Sequence, residues 1–389
     1  MKNLYSKEKA ATLHSDLDLR VYTSNLLGES MDLVLHGGGN TSVKSVVDGE
    51  EILYVKGSGW DLVSIEAEGF APVKLDTLVE MAKLEVLSDS DMVSQQKAAM
   101  IDKSAPNPSV EAILHAIIPF KYVDHTHADA IVTITNSPED IRALFPNFLF
   151  VPYIMPGFIL AQRIYEMAKD LDYTKCEGFI LENHGIFTFD ESAKGAYDKM
   201  IAAVSKAEAF LEAKASVTLS SQPCSDEFDF ALLQQEISKA KGFEVTMIIN
   251  DSALACHYST QDKLGAFATR GVLTPEHIIR TKRIPLVLEG GDAAEEIAAY
   301  MHDYEAYFKK FAQDEIMLNP APNYAVIKGV GVVSFGADEK ASSIINDIVE
   351  HTMMAVLRAD KLGGYQSISL QDSFEMEYWE LEQIKLKKS

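Results

Sequence analysis

The sequence is short of cysteine, of positive charge and of long apolar stretches. It has 3 cysteines in 389 residues, and 35 Lys and Arg against 58 Asp and Glu give a formal net charge of −23. Such acidity argues against a duplex nucleic acid or an anionic membrane as partner, because both attract cationic surfaces. No run approaches the ~20 apolar residues of a membrane-spanning helix. A phosphorylated small molecule stays compatible with this charge, since a nest of backbone N–H groups can bind an anion on an acidic protein.

The N-terminus and the cysteines indicate a cytoplasmic protein. Residues 1–8 lack the apolar core and the small-residue cleavage site of a secretory signal. The cysteines, Cys176, Cys224 and Cys256, are odd in number and widely spaced. We therefore expect reduced thiols rather than a disulfide framework.

What the sequence does have is an ordinary globular composition, with 47% apolar and 24% charged residues. Apolar residues at helical spacing indicate helices over Leu75–Leu87, Val110–Ile118, Gly157–Asp170 and Glu191–Ala215. Short β-rich runs indicate strands over Glu51–Val55, Lys121–Thr126, Ala130–Thr135, Gly178–Leu181 and Ile186–Phe189. Because these elements are interleaved, we expect a partly antiparallel sheet covered by helices.

A serine-rich segment divides the chain. We predict a first domain over residues 1–215, a linker over 216–227 and a C-terminal α/β domain over 228–389. Patterns in the second domain indicate a helix, a strand and a long helix over Phe230–Lys241, Glu244–Asn250 and Asp292–Gln313.

The C-terminal domain contains a short sequence pattern that resembles one in the first domain. Residues 178–189 and 324–335 share a strand–turn–strand pattern that leads into a helix, with Val330 in the place of His184. This likeness indicates a degenerate half-copy without the polar chemistry. It is equally what any strand–turn–strand–helix unit would produce.

The strongest chemical signal is the pair His125 and His127 in an apolar, strand-like context. Residues i and i+2 of a strand point to the same face, so both imidazoles can bind one ion. A catalytic zinc usually has three protein ligands, and His184, at a turn between two strands, is the best candidate for the third. Such a pair alone also fits two packed or exposed histidines.

The second signal is Glu111, which follows Pro108-Ser109-Val110. Asn107 or Ser109 can cap a helix that carries Glu111 in its first turn, where the helix dipole favours a negative charge. A carboxylate there can move a proton to or from a carbon next to a polarised carbonyl, or can simply stabilise the helix. We interpret His115, on the same helix face, as a packed and hydrogen-bonded histidine rather than a fourth ligand.

Two glycine-rich turns are candidates for anion binding. One covers residues 36–42 and contains Gly39 and Asn40, and the other is Lys56-Gly57-Ser58-Gly59. Glycines let backbone N–H groups approach an anion, and the Asn and Ser side chains add donors. Neither turn fits the Walker or the dinucleotide-binding pattern, and each alone is also explained as a simple turn.

Together the motifs resemble those of the class II aldolase/adducin family over roughly residues 4–211. The matching order is Gly39-Asn40-Thr41-Ser42, Gly57-Ser58-Gly59, Pro108-Ser109-Val110-Glu111, His125-Thr126-His127 and His184-Gly185. The resemblance implies a three-layer α/β/α sandwich with a mixed, mostly antiparallel sheet, here followed by a C-terminal α/β extension. It implies zinc, or another divalent ion, held by His125, His127 and His184. It also implies Glu111 as catalytic acid/base and a phosphate held by Gly39, Asn40, Ser58, Gly59 and Ser109.

The rest of the chain is similar to a narrower group, the aldolase half of bifunctional rhamnulose-1-phosphate aldolase/alcohol dehydrogenases. The similarity is carried by Arg270–His277, Arg280–Arg283 and Glu377–Glu382. It implies retro-aldol cleavage of a ketose 1-phosphate, best L-rhamnulose 1-phosphate, to dihydroxyacetone phosphate and an aldehyde. In that group a short-chain dehydrogenase domain begins near the point where this sequence ends, and family enzymes tend to form homotetramers. Val110 stands where smaller fuculose-phosphate aldolases carry a second serine, which removes one phosphate hydroxyl.

Two other functions fit the same resemblance. Sugar-phosphate 4-epimerases and a decarboxylase of oxo-acid phosphates use the same three-histidine site. An adducin-like binding protein would keep the fold without catalysis, although a scaffold has no need of three convergent imidazoles.

Overall fold

The computed structural model describes residues 1–220, 223–225 and 227–383. The chain divides into two compact units. The N-terminal unit comprises Met1–Thr135 and Asp140–Glu212, and the C-terminal unit comprises Asn136–Glu139 and Ala213–Ser389. Part of the predicted linker, residues 221, 222 and 226, lies outside the described residues. None of the described helices combines the length and the apolar character needed to cross a membrane.

The N-terminal unit is built on a seven-stranded sheet. Its strands are β1 (Asn40–Val47), β2 (Glu50–Lys56), β3 (Phe70–Lys74), β4 (Tyr122–Thr126), β5 (Phe148–Val151), β6 (Gly178–Leu181) and β7 (Gly185–Asp190). Its helices are α1 (Lys7–Ala10), α2 (Asp16–Gly28), α3 (Leu75–Ala82), α4 (Asp89–Ala99), α5 (Ala112–Ile117), α6 (Asp129–Thr135), α7 (Phe158–Met167) and α8 (Ala193–Ala215). The strand order is β3-β2-β1-β4-β7-β6-β5, and only the pair β5 and β6 is parallel among these described strands.

Alternate residues of these strands cover the two faces of the sheet. On one face, Leu53 and Val123 pack into a core with residues of α3, α4, α5 and α7. On the other face, Val43 and Tyr122 pack against residues of α2 and α8. Helices therefore cover both faces, and the three-layer α/β/α sandwich that the resemblance implies is confirmed.

The C-terminal unit contains a four-stranded sheet of order β8-β11-β10-β9. Its strands are β8 (Thr246–Asn250), β9 (Leu286–Leu288), β10 (Tyr324–Ile327) and β11 (Gly331–Gly336). Its helices are α9 (Phe230–Lys241), α10 (Ala253–Ser259), α11 (Leu264–Ala268), α12 (Ile278–Thr281), α13 (Ala293–Phe311), α14 (Glu339–Lys361) and α15 (Leu370–Glu377). A second apolar core, which includes Leu233, Ile297 and Phe335, joins α9 and α13 to this sheet.

Strands β8 to β11 repeat the pairing of β4 to β7. In each set the fourth strand lies antiparallel to the first and to the third, and the third lies parallel to the second. A helix of 23 residues follows the last strand in both sets. The registers equate Gly331 with Gly185, because each opens the last strand opposite the end of the third. They put Ile249, Asp251 and Val330 in the places of His125, His127 and His184. This agreement supports the predicted half-copy. None of these three residues carries an imidazole.

One predicted strand is wrong. Residues 129–135 form helix α6 where the apolar run Ala130–Thr135 indicated a strand. The Val132 N–H donates to the Ala128 carbonyl at 3.0 Å, as in a helical turn. A short apolar run buried on all sides has no period that separates a strand from a helix, so tertiary packing decides.

The expectation of three reduced thiols is also wrong for this structure. Cys224 and Cys256 form a disulfide with their Cα atoms 5.0 Å apart, although 32 positions separate them in the sequence. Cys176 is a buried free thiol, and burial raises its pKa. Cysteine spacing does not reveal which thiols the fold brings together, and the cytoplasmic localisation stays a prediction.

Candidate active site

Three imidazoles meet at one end of the β4–β7 pair. One ring nitrogen from each of His125, His127 and His184 lies within 4.8 Å of the others. The Nε2 atoms of His125 and His127 are 3.0 Å apart. His125 and His184 are buried, whereas His127 is partly exposed. The tertiary structure thus brings together three histidines that are up to 59 positions apart (184 − 125).

The orientation of His125 suits a metal ligand. Its Nδ1 lies 3.1 Å from the Ile186 carbonyl, which can only accept, so Nδ1 carries the hydrogen and Nε2 keeps a lone pair. The ring also stacks on Phe187 with 4.0 Å between centroids. Both contacts fix the imidazole before any ion binds.

The turn before β7 allows this close approach. Asn183 has φ +59°, and the His184 N–H donates to the Leu181 carbonyl at 3.1 Å. A Cβ at Gly185 would lie 2.3 Å from the Thr126 carbonyl oxygen and 3.2 Å from atoms of the His125 and His127 rings. Glycine at this position therefore lets the turn reach the end of β4.

Glu111 lies beside the three histidines. Its Oε2 is 3.5 Å from His125 Nε2 and its Oε1 is 3.7 Å from His184 Nε2. The carboxylate is 5% exposed, and Oε1 has no hydrogen-bond partner among the described residues. The predicted capping geometry is wrong, because Glu111 precedes α5 instead of lying in its first turn, and the Ser109 hydroxyl accepts from the Glu111 N–H at 3.3 Å.

A chain of buried hydrogen bonds reaches Glu111 from strand β1. The Asn40 Nδ2 donates to Glu111 Oε2 at 2.6 Å. The Asn40 Oδ1 lies 2.5 Å from His115 Nε2, and His115 Nδ1 lies 2.8 Å from the Ser42 hydroxyl. Because an amide oxygen only accepts, Nε2 of His115 carries the hydrogen and Nδ1 accepts. Burial lowers the pKa of His115 well below its usual range, in agreement with a neutral ring.

The other predicted phosphate residues lie in two neighbouring segments. The Ser58 N–H donates to the Asn107 carbonyl at 2.8 Å, and the Ser109 N–H donates to the Lys56 carbonyl at 3.0 Å. Ser58 and Gly59 are exposed. These bonds hold the 57–59 turn beside the 107–109 segment, so both serine side chains belong to one region.

Gly39 and Asn40 lie beside the histidine cluster. Asn40 is the ladder partner of His125 between β1 and β4, and its amide is already hydrogen-bonded to Glu111. A Cβ at Gly39, which has φ +63°, would lie 2.7 Å from the His125 carbonyl oxygen. A phosphate role for these two residues stays a prediction.

Lys56 opens the second glycine-rich turn, but the sequence motifs gave it no role of its own. It is 6% exposed, and its ammonium donates to the Gly37 carbonyl at 2.9 Å, which joins the two glycine-rich turns. Burial lowers its pKa to about 8, and the nearby Asp61 and Glu111 carboxylates partly offset this effect. Its place at the end of β2, directly before Gly57-Ser58-Gly59, is the signal that could have found it.

A fully buried ion pair lies on the opposite face of β4. Arg20 Nη1 is 2.5 Å from Asp124 Oδ1, and both side chains are 0% exposed. The guanidinium also donates to the hydroxyls of Thr23 and Ser24. This pair joins α2 to the strand that carries the histidines, and nothing in the spacing of residues 20 and 124 predicts it.

The residues at this site fit a divalent cation. Three neutral imidazole nitrogens are the donor set that zinc prefers in catalytic sites, and the adjacent Glu111 carboxylate adds the negative charge that a dication favours. Metal-bound histidines usually donate a hydrogen bond from the other ring nitrogen, as His125 Nδ1 does to a backbone carbonyl. The arrangement can therefore bind a metal, and it can hold a proton on the neighbouring carboxylate.

Comparisons with known proteins find matches for both parts of the chain. The family model for the class II aldolase and adducin N-terminal domain matches residues 20–211, and that for the aldolase class II second domain matches residues 226–386. A solved N-terminal class II aldolase domain of a conserved protein from Thermoplasma acidophilum is 41% identical. It has a TM-score of 0.50, and the match covers 54% of this chain and 99% of that one.

Two further relatives have a lower sequence identity with this chain. An uncharacterized oxidoreductase of Bacillus subtilis, YuxG, is 30% identical over 99% of this chain, which spans 60% of the length of that relative. The L-fuculose-1-phosphate aldolase of Thermus thermophilus is 16% identical, with a TM-score of 0.34 over 50% of this chain and 95% of that one. The two family models, the sheet and the solved domain from Thermoplasma together assign this chain to the class II aldolase/adducin family.

Proposed function

We propose that this chain is a metal-dependent aldolase that cleaves a ketose 1-phosphate, L-rhamnulose 1-phosphate being the expected substrate, to dihydroxyacetone phosphate and an aldehyde. The observation that carries the proposal is the Glu111 carboxylate, buried and 3.5 to 3.7 Å from two of three convergent histidines. A buried carboxylate at a cation site is the group that such a reaction needs for proton transfer at carbon. The sequence similarity to rhamnulose-phosphate enzymes supplies the choice of sugar.

His125, His127 and His184 would hold the cation, with zinc as the expected ion. When bound, it would polarise the ketose carbonyl and favour the negative charge that develops as the carbon–carbon bond breaks. Glu111 gives a proton to the carbon next to the carbonyl after cleavage, or removes that proton in the reverse direction. Its Oε1, which lacks a hydrogen-bond partner among the described residues, is the oxygen available for this transfer.

The substrate phosphate would bind at the 57–59 and 107–109 segments. The Ser58 and Ser109 hydroxyls and the Gly59 backbone are the proposed donors, and Gly39 and Asn40 complete the proposed set. The Lys56 ammonium adds positive charge between the two glycine-rich turns, which favours an anion there. This arrangement would put the phosphorylated end of the sugar on one side of the histidines.

The name of the Bacillus relative gives that protein an oxidoreductase activity, and we do not extend it to this chain. In the bifunctional enzymes that this chain resembles, the dehydrogenase is a separate domain. Gly329-Val330-Gly331 leads into strand β11, whereas a dinucleotide-binding turn opens a helix.

A homotetramer is the assembly that the family resemblance leads us to expect.

The proposal is tested with the purified chain, its metal content and a product assay. We expect about one divalent ion per chain and release of dihydroxyacetone phosphate from L-rhamnulose 1-phosphate. Glu111→Gln should keep the metal and lower kcat by roughly 10²- to 10⁴-fold, the usual contribution of a general acid or base. Glu85→Gln, at an exposed position, is the matched control and should retain activity.

Other outcomes of these experiments would change the proposal. Epimerisation of a pentulose phosphate, or carbon dioxide release from an oxo-acid phosphate, in place of cleavage would indicate the corresponding enzyme. Full activity of Glu111→Gln would remove Glu111 from the mechanism. A gently purified protein without a bound divalent ion and without any of these activities would favour an adducin-like binding protein.

A further inference from the structure

The C-terminal unit contains a cavity of about 190 Å³ beside helix α13. Its lining residues are Arg283, Ile284, Tyr300, Asp303, Tyr304 and Tyr307. The volume equals that of roughly six water molecules at about 30 Å³ each, so it suits a small ligand. None of these residues belongs to the site described above.

One wall of the cavity is a stripe of tyrosines. Tyr300, Tyr304 and Tyr307 occupy positions i, i+4 and i+7 of α13 and so share one face of the helix. The Tyr300 hydroxyl donates to the Ile284 carbonyl at 3.0 Å, and the Tyr304 hydroxyl donates to Glu377 Oε1 at 2.8 Å. These bonds hold two of the three rings in place.

The buried charges behind this wall balance each other. Lys282 is 5% exposed and Glu377 is 2% exposed. The Lys282 ammonium lies 3.9 Å from Glu377 Oε1 and 3.7 Å from the centre of the Tyr304 ring. A buried carboxylate and a buried ammonium at this distance largely neutralise one another.

The single Glu377 carboxylate faces a second cation, because its charge also acts on Arg283 of the cavity. Its side chain is largely buried, and burial lowers its pKa, yet a guanidinium stays charged in proteins. Within the part of the chain that the structure describes, no carboxylate lies within ion-pair distance of Arg283, and this includes Asp303, which lines the same cavity. A partly desolvated cation that shares one carboxylate with a second cation is stabilised when a further anion binds to it.

The Tyr307 hydroxyl adds a hydrogen-bond donor. It is buried near Glu377 but makes no hydrogen bond of ordinary geometry with a described residue. Burial and the Glu377 charge raise the pKa of Tyr307, so the hydroxyl keeps its hydrogen at neutral pH. The cavity thus combines a forked cationic donor, a neutral donor and aromatic walls.

We propose that this cavity binds a small oxyanion, a phosphate or a short carboxylate, with Arg283 as its charge partner and Tyr307 as a hydrogen-bond donor. The guanidinium matches both anions, because its planar fork donates two parallel hydrogen bonds to a carboxylate or phosphate. The tyrosine rings form the surface against which the rest of the ligand packs. The site is separate from the proposed aldolase chemistry and does not depend on it.

The first test labels arginines of the full-length protein with phenylglyoxal and reads each site by peptide mass spectrometry. Inorganic phosphate and acetate are the two probes. A bound oxyanion slows labelling of Arg283 by about tenfold at a concentration ten times its dissociation constant. Arg280, exposed in the neighbouring helix α12, should label at the same rate with and without the probe.

The second test measures binding of labelled inorganic phosphate and acetate by equilibrium dialysis. Arg283→Met should lose one binding site per chain, whereas Arg280→Met, which makes the same change of charge outside the cavity, should keep it. If only phosphate protects Arg283 from labelling, or if Arg283→Met loses only phosphate binding, the ligand is a phosphate. If the same holds for acetate alone, the ligand is a carboxylate.

Either test can overturn the proposal. The proposal is wrong if Arg283 is labelled at the same rate with and without each probe. If Arg283 resists labelling, the proposal is wrong when Arg283→Met binds as much phosphate and acetate as the unaltered protein. If Arg283→Met does not fold, the labelling of the unaltered protein decides. Binding of phosphate at Ser58 and Ser109 would appear equally in both variants, so the two sites are distinguishable.

Discussion

The Asn40 side-chain amide donates a hydrogen bond to Glu111 across 71 positions of sequence, with its nitrogen 2.6 Å from Oε2. The amide can do this in only one orientation, because the His115 Nε2–H donates to its oxygen. One carboxylate oxygen is thereby held, and the other remains available at the histidines. This relationship makes Asn40 a positioning residue for the proposed proton carrier.

Replacing Asn40 tests that role. Asn40→Leu keeps the size of the side chain and removes the donor, so we expect kcat to fall by about 10- to 100-fold, the equivalent of a lost hydrogen bond to a charged group. Metal content should not change, because the imidazoles are untouched. Asn147→Leu is the matched control, since Asn147 donates to Glu177 at an exposed site. An Asn40 variant with normal kcat would show that Glu111 needs no such support.

The close approach at Gly185 gives a prediction about the metal site. A Cβ there meets the Thr126 carbonyl at 2.3 Å, so Gly185→Ala must displace the turn that carries His184. We expect a loss of about 1–3 kcal/mol in the free energy of unfolding and a weaker affinity for zinc. Urea unfolding and a zinc titration measure the two effects.

Gly265→Ala is the matched control for this prediction. Its added Cβ would meet Glu289 Oε2 at 3.5 Å, an ordinary contact, and Gly265 lies in helix α11. This variant should keep both zinc affinity and stability. Equal stability and equal zinc affinity of the two variants would mean that the turn before β7 accommodates a Cβ without being displaced.

The buried pair Arg20 and Asp124 should dominate the electrostatic contribution to stability. Arg20→Met leaves the Asp124 carboxylate buried without its cation, which costs about 3–5 kcal/mol. The double variant Arg20→Met/Asp124→Leu should recover much of that loss, because it leaves no buried charge. Arg142→Met removes exposed ion pairs and should change the free energy of unfolding by less than about 1 kcal/mol. A double variant as unstable as the single one would contradict this account.

Lys282 should make stability depend on alkaline pH. Burial lowers its pKa to about 8 from 10.5, and Glu377 partly offsets the effect. Between these values the unfolded chain binds more protons than the folded one, so the contribution of Lys282 to the free energy of unfolding rises with pH. Lys282→Met removes that rise, which is on the order of 3 kcal/mol over the whole window.

The measurement is urea unfolding of the protein and the variant at several pH values from 7 to 9.5. The difference between the two reports on Lys282 together with its partner Glu377, and it cancels the titrating groups that Lys282 does not contact. Lys340→Met, at an exposed position, should give a difference that does not change with pH. A constant difference for Lys282→Met as well would mean that this ammonium is better solvated than its burial indicates.

The sequence by itself determined those elements whose ends carry their own chemical signals. Helix α9 spans Phe230–Lys241 as predicted, because Asp229 caps its start and Gly242 ends it with a left-handed φ of 79°. The order of the short motifs likewise identified the family, since each motif depends only on local spacing.

Only the tertiary structure decided what depends on distant neighbours. It made residues 129–135 a helix, paired Cys224 with Cys256 and brought Arg20 to Asp124. It also turned the Asn40 amide towards Glu111 and enclosed Arg283 within a tyrosine-lined cavity. The physical reason is that burial and pairing energies arise from groups far apart in the chain, whereas periodicity and caps report only on residues a few positions away.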